Sequence, residues 1–353
     1  MSDKSIHNSE VARVLGKNKS YLLAGFLLGV LLSTGVFALC VRHFNSDPQN
    51  GGSGLVLKLG HSLDQQHPVH LALEHMAERL QQKSAGTVEL QIFPNGQLGS
   101  ETECIEQLQR GALAMTKTST APLESFLPEF SIFGVPYLFR DDEHAWRVYT
   151  GEIGKELLQK GSEVGLRGLC YLDAGARSFY TVNKPILKPD DLKGLKIRVQ
   201  ESQTAMELVE ALGGSPTPMS FGELYTGLQQ GMVDGAENNP PSFYSNRHFE
   251  VCKHLSLDEH ARVPDILLIS ESVWKNLPPH VQQWVQEAAD EAAEFQRELW
   301  EEKTAEVLED VQKEGVTIDH PDKSLFAEQV KPMVDKLKGT PVGDLVNRIR
   351  ELP

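Results

Sequence analysis

The chain has 353 residues, 40% of them hydrophobic, and carries 34 Lys and Arg against 49 Asp and Glu, a formal charge of -15. At roughly 100 to 200 residues per domain, that length points to two domains rather than one core. The acidic balance and the lack of a long basic run exclude nucleic acid as a partner, because neutralising phosphates needs a basic surface; a small anion held in a local basic pocket stays compatible.

Taken in chain order, a polar stretch with Lys4, Arg13, Lys17 and Lys19 precedes YLLAGFLLGVLLSTGVFALCV. That uncharged run of about 21 residues is long enough to cross a bilayer as a helix. The basic flank in front of it directs the remainder out of the cytoplasm. A cut after Ala38 would suit a signal peptide, but the apolar core exceeds the usual range of about 7 to 15 residues, so the first reading is an uncleaved anchor with a cleaved signal as the alternative. Leu39 is a poor residue to precede an acylated Cys40. Residues 1–44 are therefore signal or anchor, and 45–54, with NSDPQNGGSG, a flexible tether. Cys104, Cys170 and Cys252 are scattered and odd in number, which predicts buried free thiols rather than a disulfide framework.

From Leu55 short apolar runs alternate with helical stretches, the α/β rhythm. LVLKLGHS reads as a strand, PVHLALEHMAERLQQKSAG as a helix opened by Pro68, TVELQIFP as a strand, SETECIEQLQRGALAM as a helix, and a further short strand lies near Thr116. Two right-handed crossovers make this one parallel sheet. A proline-broken apolar loop leads into a helix at DDEHAWRVY, where Asp141, Asp142 and Glu143 suit a helix N-terminus. VGLRGLCYLDAGARSFYT reads as a strand leaving one domain for another. A second α/β unit follows: the strand KGLKIRVQES, the helix QTAMELVEALGG, the turn SPTPMSF, the helix GELYTGLQQG and the run MVDGAEN. Apolar alternation returns at VPDILLIS to complete the first sheet. A pattern with three- and four-residue spacing then runs for about 35 residues, too long for an ordinary globular helix, and would brace both halves.

His61, His67, His70 and His75 cluster, but their spacing is loose and no HExxH or cysteine pair accompanies them, so no metal site is expected. His67 lies in a strand-to-helix loop, where a ligand contact is plausible. GxSxG, P-loop and dinucleotide motifs are missing, which shifts weight from catalysis to binding and predicts no cofactor. Arg177, Arg198, Glu201, Asn238 and Asn239 fall at strand ends or loops, where open α/β sheets bind ligands. In KIRVQES the period of two sends Ile197 and Val199 to one face and Arg198 to the other. A guanidinium fork donates two parallel hydrogen bonds to a carboxylate.

FPNGQLGSE, FGVPYLFRD, GARSFYT, DLKGLKIRVQES, GGSPTPMSFGELYTGLQQGMVDGAEN and HFEVCKHLSL together resemble the solute-binding proteins of TRAP transporters, the DctP type, from about Leu55 to Pro332. The resemblance implies an α/β, two-lobed, periplasmic-binding-protein-like fold, with a ligand cleft between lobes and a long helix spanning both. The expected division is 55–175 plus 264–304 for lobe I and 176–263 plus 305–353 for lobe II. It also implies a periplasmic receptor that hands a small organic acid to TRAP membrane subunits; a monomer tethered by its N-terminal segment is expected. The principal carboxylate clamp falls on Arg198, its second arm on Arg177, and the asparagine after DGAE on Asn238. Glu101, Ser119, Glu201, Phe221 and His260 fall where such proteins line the cleft.

Two arginines at one end with Glu101, Glu201 and asparagines elsewhere suit a polyhydroxylated monocarboxylate, since carboxylates accept hydrogen bonds and would face hydroxyls. That favours a sugar acid of the uronate kind, which ENNPPSF also suggests within the family. The alternatives are a C4-dicarboxylate or other carboxylate, an amino acid paired to Glu201, an exported α/β enzyme using Glu101 and Glu201 as acid and base, and a scaffold.

Overall fold

The computed structural model describes Gly54–Pro353; the anchor and tether expected over residues 1–53 lie outside the described residues. Two sheets organise the chain. In the first, β1 (Leu55–Gly60), β2 (Val88–Phe93) and β3 (Met115–Ser119) run parallel, joined by helices Pro68–Lys83 and Glu101–Gln109. β4 (Leu166–Leu172) forms the far edge of the order β2-β1-β3-β10-β4, in which β10 is Asp265–Ser270. In the second, β5 (Arg177–Thr181), β6 (Lys196–Val199), β7 (Ser215–Pro218), β8 (Gly235–Asn238), β9 (His254–Ala261) and β11 (Thr317–Asp319) take the order β11-β9-β5-β8-β6-β7. β10 (Asp265–Ser270) returns to the first sheet as expected, but it is antiparallel to both β3 and β4. The first sheet is therefore mixed, not wholly parallel: the chain re-enters from the second sheet without the helical crossover that a parallel neighbour requires.

The first helix begins where His67 caps it, the Nδ1 accepting from the Val69 amide. Ser100 and Glu103 form a reciprocal capping box at the second. Asp141 caps the helix Asp142–Thr150 through the His144 amide. The expected turn SPTPMSF is instead the strand β7, parallel to β6 at the sheet's edge, where Pro216 and Pro218 withhold no hydrogen bond that the ladder needs. Cys104, Cys170 and Cys252 are buried free thiols.

The chain passes between sheets at residues 173–176, between β4 and β5, and at residues 262–264, between β9 and β10. Gly175 takes φ +55 in the first passage, and a Cβ there would stand 2.9 Å from the Trp300 indole nitrogen, so only glycine fits. The third link is the helix Pro279–Lys313, 35 residues and about 50 Å long. Its Val281, Val285, Ala288, Ala289, Ala292 and Trp300 join the core of the first sheet, while Val311 joins that of the second. Helix Lys323–Asp335 packs Phe326, Val330 and Met333 on the second sheet. Helix Pro341–Glu351 packs Leu345, Val346 and Ile349 among Phe133, Tyr171 and Ile266 on the first, a placement that a division at residue 305 does not express.

Candidate ligand-binding site

The carboxyl ends of the parallel strands and the amino ends of the antiparallel ones meet in one place. Asp265 opens β10 opposite Ser119, the last residue of β3. Beside Asn238 at the end of β8 stands Ser178, one residue after Arg177 opens β5. The cavity between them, about 350 Å3 with its mouth, is lined by Ser62, Leu63, Glu101, Lys117, Ser119, Ala174, Arg177, Gln200, Phe221, Asn238, Asn239, Ser242, Val263 and Asp265. A roomier cavity, about 1030 Å3 with its mouth, lies behind β5, where Ala176, Ser178, Trp300 and Thr304 line it. The smaller one is the better candidate, because buried charged groups from both sheets converge on it.

Arg198 is 2% exposed. Its Nε and one terminal nitrogen both donate to the Met219 carbonyl, at 2.9 and 2.8 Å, and the other terminal nitrogen is buried without a hydrogen-bond partner. Burial lowers its pKa, against the neighbouring Tyr180 and Glu237. A desolvated cation whose donors are unfilled lowers its free energy by taking an anion. Arg198 does not itself line the cavity; the Phe221 ring that does lies 5.8 Å from its guanidinium carbon.

Arg177 does line the cavity, yet most of its fork is occupied. It is paired with Glu237 through Nε, donates from a terminal nitrogen to Glu237 Oε1 at 2.9 Å, and donates from the other to Asn238 Oδ1 at 2.9 Å. Behind it, His260 stands 2.7 Å from Asp258 and 3.4 Å from Glu237. Burial works against both charges, but Arg177 and His260 hold Glu237 down to about 2, while Asp258 and Glu237 lift His260 to about 9. The four groups form a chain of alternating charge, Arg177, Glu237, His260 and Asp258. His260 thus acts through Glu237 and Arg177 rather than on the cavity wall.

The asparagines present their amide nitrogens by elimination. Asn238 Oδ1 accepts from Arg177 and from the Asn239 amide, and Asn239 Oδ1 accepts from the Ser242 amide. His67 is also off the wall: with Nδ1 accepting from Val69, its proton sits on Nε2, 3.1 Å from Ser242 Oγ. Ser242 is then free to turn its own proton to the cavity. Burial keeps His67 neutral, well below the usual histidine range. His61 and His70 bond each other at 3.0 Å, and burial pushes His61 down to about 2. Glu201 is exposed and does not line the cavity, accepting from Thr102 Oγ1 at 2.6 Å.

Of the residues expected from sequence, the cavity thus collects Glu101, Ser119, Arg177, Phe221, Asn238 and Asn239; Arg198, His67 and His260 are buried off its wall, and Glu201 is exposed outside it. Sequence reasoning missed Ser62, Gln200, Ser242 and above all Lys117 and Asp265. Lys117 is 1% exposed and pairs with Asp265 at 2.9 Å and Glu101 at 3.5 Å. The available signal was a lysine inside MTKTS, a strand buried at every position.

A pair of α/β lobes linked by crossings and a bracing helix, with buried cations around a polar cavity, defines a solute-binding protein for a small anion. The chain belongs to the bacterial extracellular solute-binding protein family 7, DctP, whose pattern matches residues 59–339. Among solved structures it is similar to a TRAP periplasmic solute-binding protein of Xanthobacter autotrophicus with bound β-D-galacturonate, at 38% identity and a TM-score of 0.81, covering 84% of this chain and 100% of that one. It is likewise similar to one from Bradyrhizobium in complex with α/β-D-galacturonate, at 40% identity, a TM-score of 0.81, and 84% and 99% coverage. The C4-dicarboxylate-binding periplasmic protein DctP of Rhodobacter capsulatus is 30% identical, over 80% of this chain and 86% of that one.

Proposed function

We propose that this protein is the extracytoplasmic receptor of a TRAP transporter and binds a uronate, without turning it over. The observation that carries the reading is the buried Arg198, an unpaired guanidinium with an unfilled donor next to a cavity whose remaining wall offers amides, hydroxyls and carboxylates. The first takes a carboxylate and the second a ring of hydroxyls. The bound galacturonates of the two similar structures support the same ligand class.

In this reading Arg198 is the principal clamp, reached as Phe221 yields, and Arg177 contributes its remaining terminal proton. Asn238 and Asn239 supply amide donors, and Glu101 and Ser119 bond hydroxyls. The lobes are 55–175 plus 264–304 and 176–263 plus 305–340, with the C-terminal helix carried on the first. The receptor is a monomer that delivers its ligand to TRAP membrane subunits, held at the membrane by residues 21–41. Among the described residues no helix is long and apolar enough to cross a membrane. N-terminal sequencing of protein extracted from membranes tests the anchor, and a mature N-terminus at Leu39 overturns it.

A thermal-shift screen of uronates, aldonates, C4-dicarboxylates and amino acids tests the ligand. A uronate at 100 times its Kd should add about 2.7 kcal/mol of apparent stability. Stabilisation by C4-dicarboxylates alone would overturn the sugar-acid reading, and consumption of the uronate would overturn the receptor reading.

A further inference from the structure

On its first-sheet side the cavity wall carries charge that a carboxylate clamp does not require. Lys117, buried in β3, stands between Asp265 and Glu101, both of which line the same cavity. Its contacts fall on Asp265 Oδ2 and Glu101 Oε1, and the latter oxygen also receives Ser62 Oγ and the Ser119 amide, each at 3.2 Å. The other oxygen of each carboxylate is left to accept from a ligand. One ammonium faces two carboxylates, so with all three ionised the cluster holds a net charge of -1 where solvent is largely excluded. Carboxylate oxygens accept and cannot donate, so they welcome a hydroxyl and repel a second anion.

We propose that Lys117, Asp265 and Glu101 form a charge filter on the first-sheet wall of the cavity that admits the hydroxylated part of a sugar acid and rejects a second carboxylate there. This rests on the uronate reading and sharpens it: the ligand is a polyhydroxylated monoacid, and the diacid made on the same carbon chain is excluded. Lys117 is a positioning residue. Its ammonium holds one oxygen of each carboxylate in place, and it opposes the burial that raises the Asp265 pKa. Asp265 supplies the discriminating charge, because its pairing oxygen is fixed on Lys117 while Glu101 is spread over three donors.

Calorimetric titration of the whole protein with a hexuronate, the matching aldonate and the matching aldarate tests the filter. The aldonate has the open chain with one carboxylate, and the aldarate has the same chain with two, so their comparison removes the effect of losing the sugar ring. The parent protein should prefer the aldonate over the aldarate by at least about 100-fold, the penalty expected of an unrelieved like charge. Asp265→Asn should cut that ratio by at least about 10-fold, chiefly by gaining affinity for the aldarate, and Glu101→Gln should cut it less. Lys117→Met should lose all three ligands; should it fail to fold, the two carboxamide variants still decide. An aldarate bound as well as the aldonate, or a ratio unchanged in both carboxamide variants, overturns the filter. If no uronate or aldonate binds but another hydroxylated monoacid does, the uronate reading falls, and the filter stands or falls on that monoacid against its own diacid. Binding of dicarboxylates alone overturns both.

Discussion

Arg198 directs two donors at a single acceptor, the Met219 carbonyl, and leaves its remaining terminal nitrogen buried and unfilled. Most buried arginines in folded proteins are paired with a carboxylate, as Arg177 is with Glu237 here. The two arginines thus differ in occupancy: the Arg177 fork is largely filled within the second sheet, and Arg198 keeps a buried donor open.

Arg198→Ala should therefore weaken ligand binding by one to several kcal/mol, roughly 10- to 1000-fold. Arg198→Lys should also weaken it, since an ammonium keeps the charge and loses the fork. In the absence of ligand, Arg198→Met should not destabilise the fold, because the lost bonds to Met219 are offset by removal of a desolvated cation. Calorimetric titration and urea denaturation of the same variants check both halves. Normal affinity in Arg198→Ala would move the anion site elsewhere.

Glu201 accepts from Thr102 Oγ1, and Glu124 Oε1 accepts from the Thr204 amide at 3.0 Å. In both contacts one partner belongs to the first-sheet side and the other follows β6 of the second. They join the two sides without lining the cavity, so if ligand is held between sides that can part, Glu201→Gln and Thr102→Val should each cost about 0.5 to 1.5 kcal/mol, roughly 2- to 10-fold in affinity, by lowering the joined population. The double variant should cost no more than either one. Small-angle scattering should show a larger radius for these variants at subsaturating ligand. If Glu201 instead touched the ligand, its loss would far exceed that of Thr102→Val.

Stability should peak near neutral pH. Burial first of all holds His61 and His248 neutral, down to about 2 and about 3, and His67 well below the usual range. Below about pH 6.5 the unfolded chain binds protons that the folded chain refuses, so stability falls with falling pH by about 1.4 kcal/mol per unit for each of them. Glu237, held near 2, adds to the loss once pH drops below its unfolded value of 4.5. His260 runs the other way: lifted to about 9, its contribution is complete below about pH 6.5 and is lost as pH rises through 9. Urea titrations from pH 5.5 to 9 should show both limbs. The alkaline limb, about 1.4 kcal/mol per pH unit, should vanish in His260→Gln; its persistence there would assign it to another group.

Local chemistry is what the sequence by itself determined. Pro68, Ser100 and Asp141 mark helix starts because capping and the φ of proline depend only on near neighbours. The 35-residue helix follows from the spacing of its apolar residues. Arg198 and Arg177 could be placed at strand ends from period-two alternation and the motifs around them. Pairing across the chain could not be read this way. That β10 runs antiparallel between β3 and β4, that the proline-rich SPTP is an edge strand, and that the last helix folds back on the first sheet depend on partners about 20 to 220 residues away. The same holds for charge. Nothing near Lys117 in MTKTS announces Asp265, and nothing near Arg177 shows that Glu237 already occupies its fork. A side chain's type is local, but whether its charge is satisfied or left open for a ligand is decided only when distant strands bring their ends together in a space that excludes water.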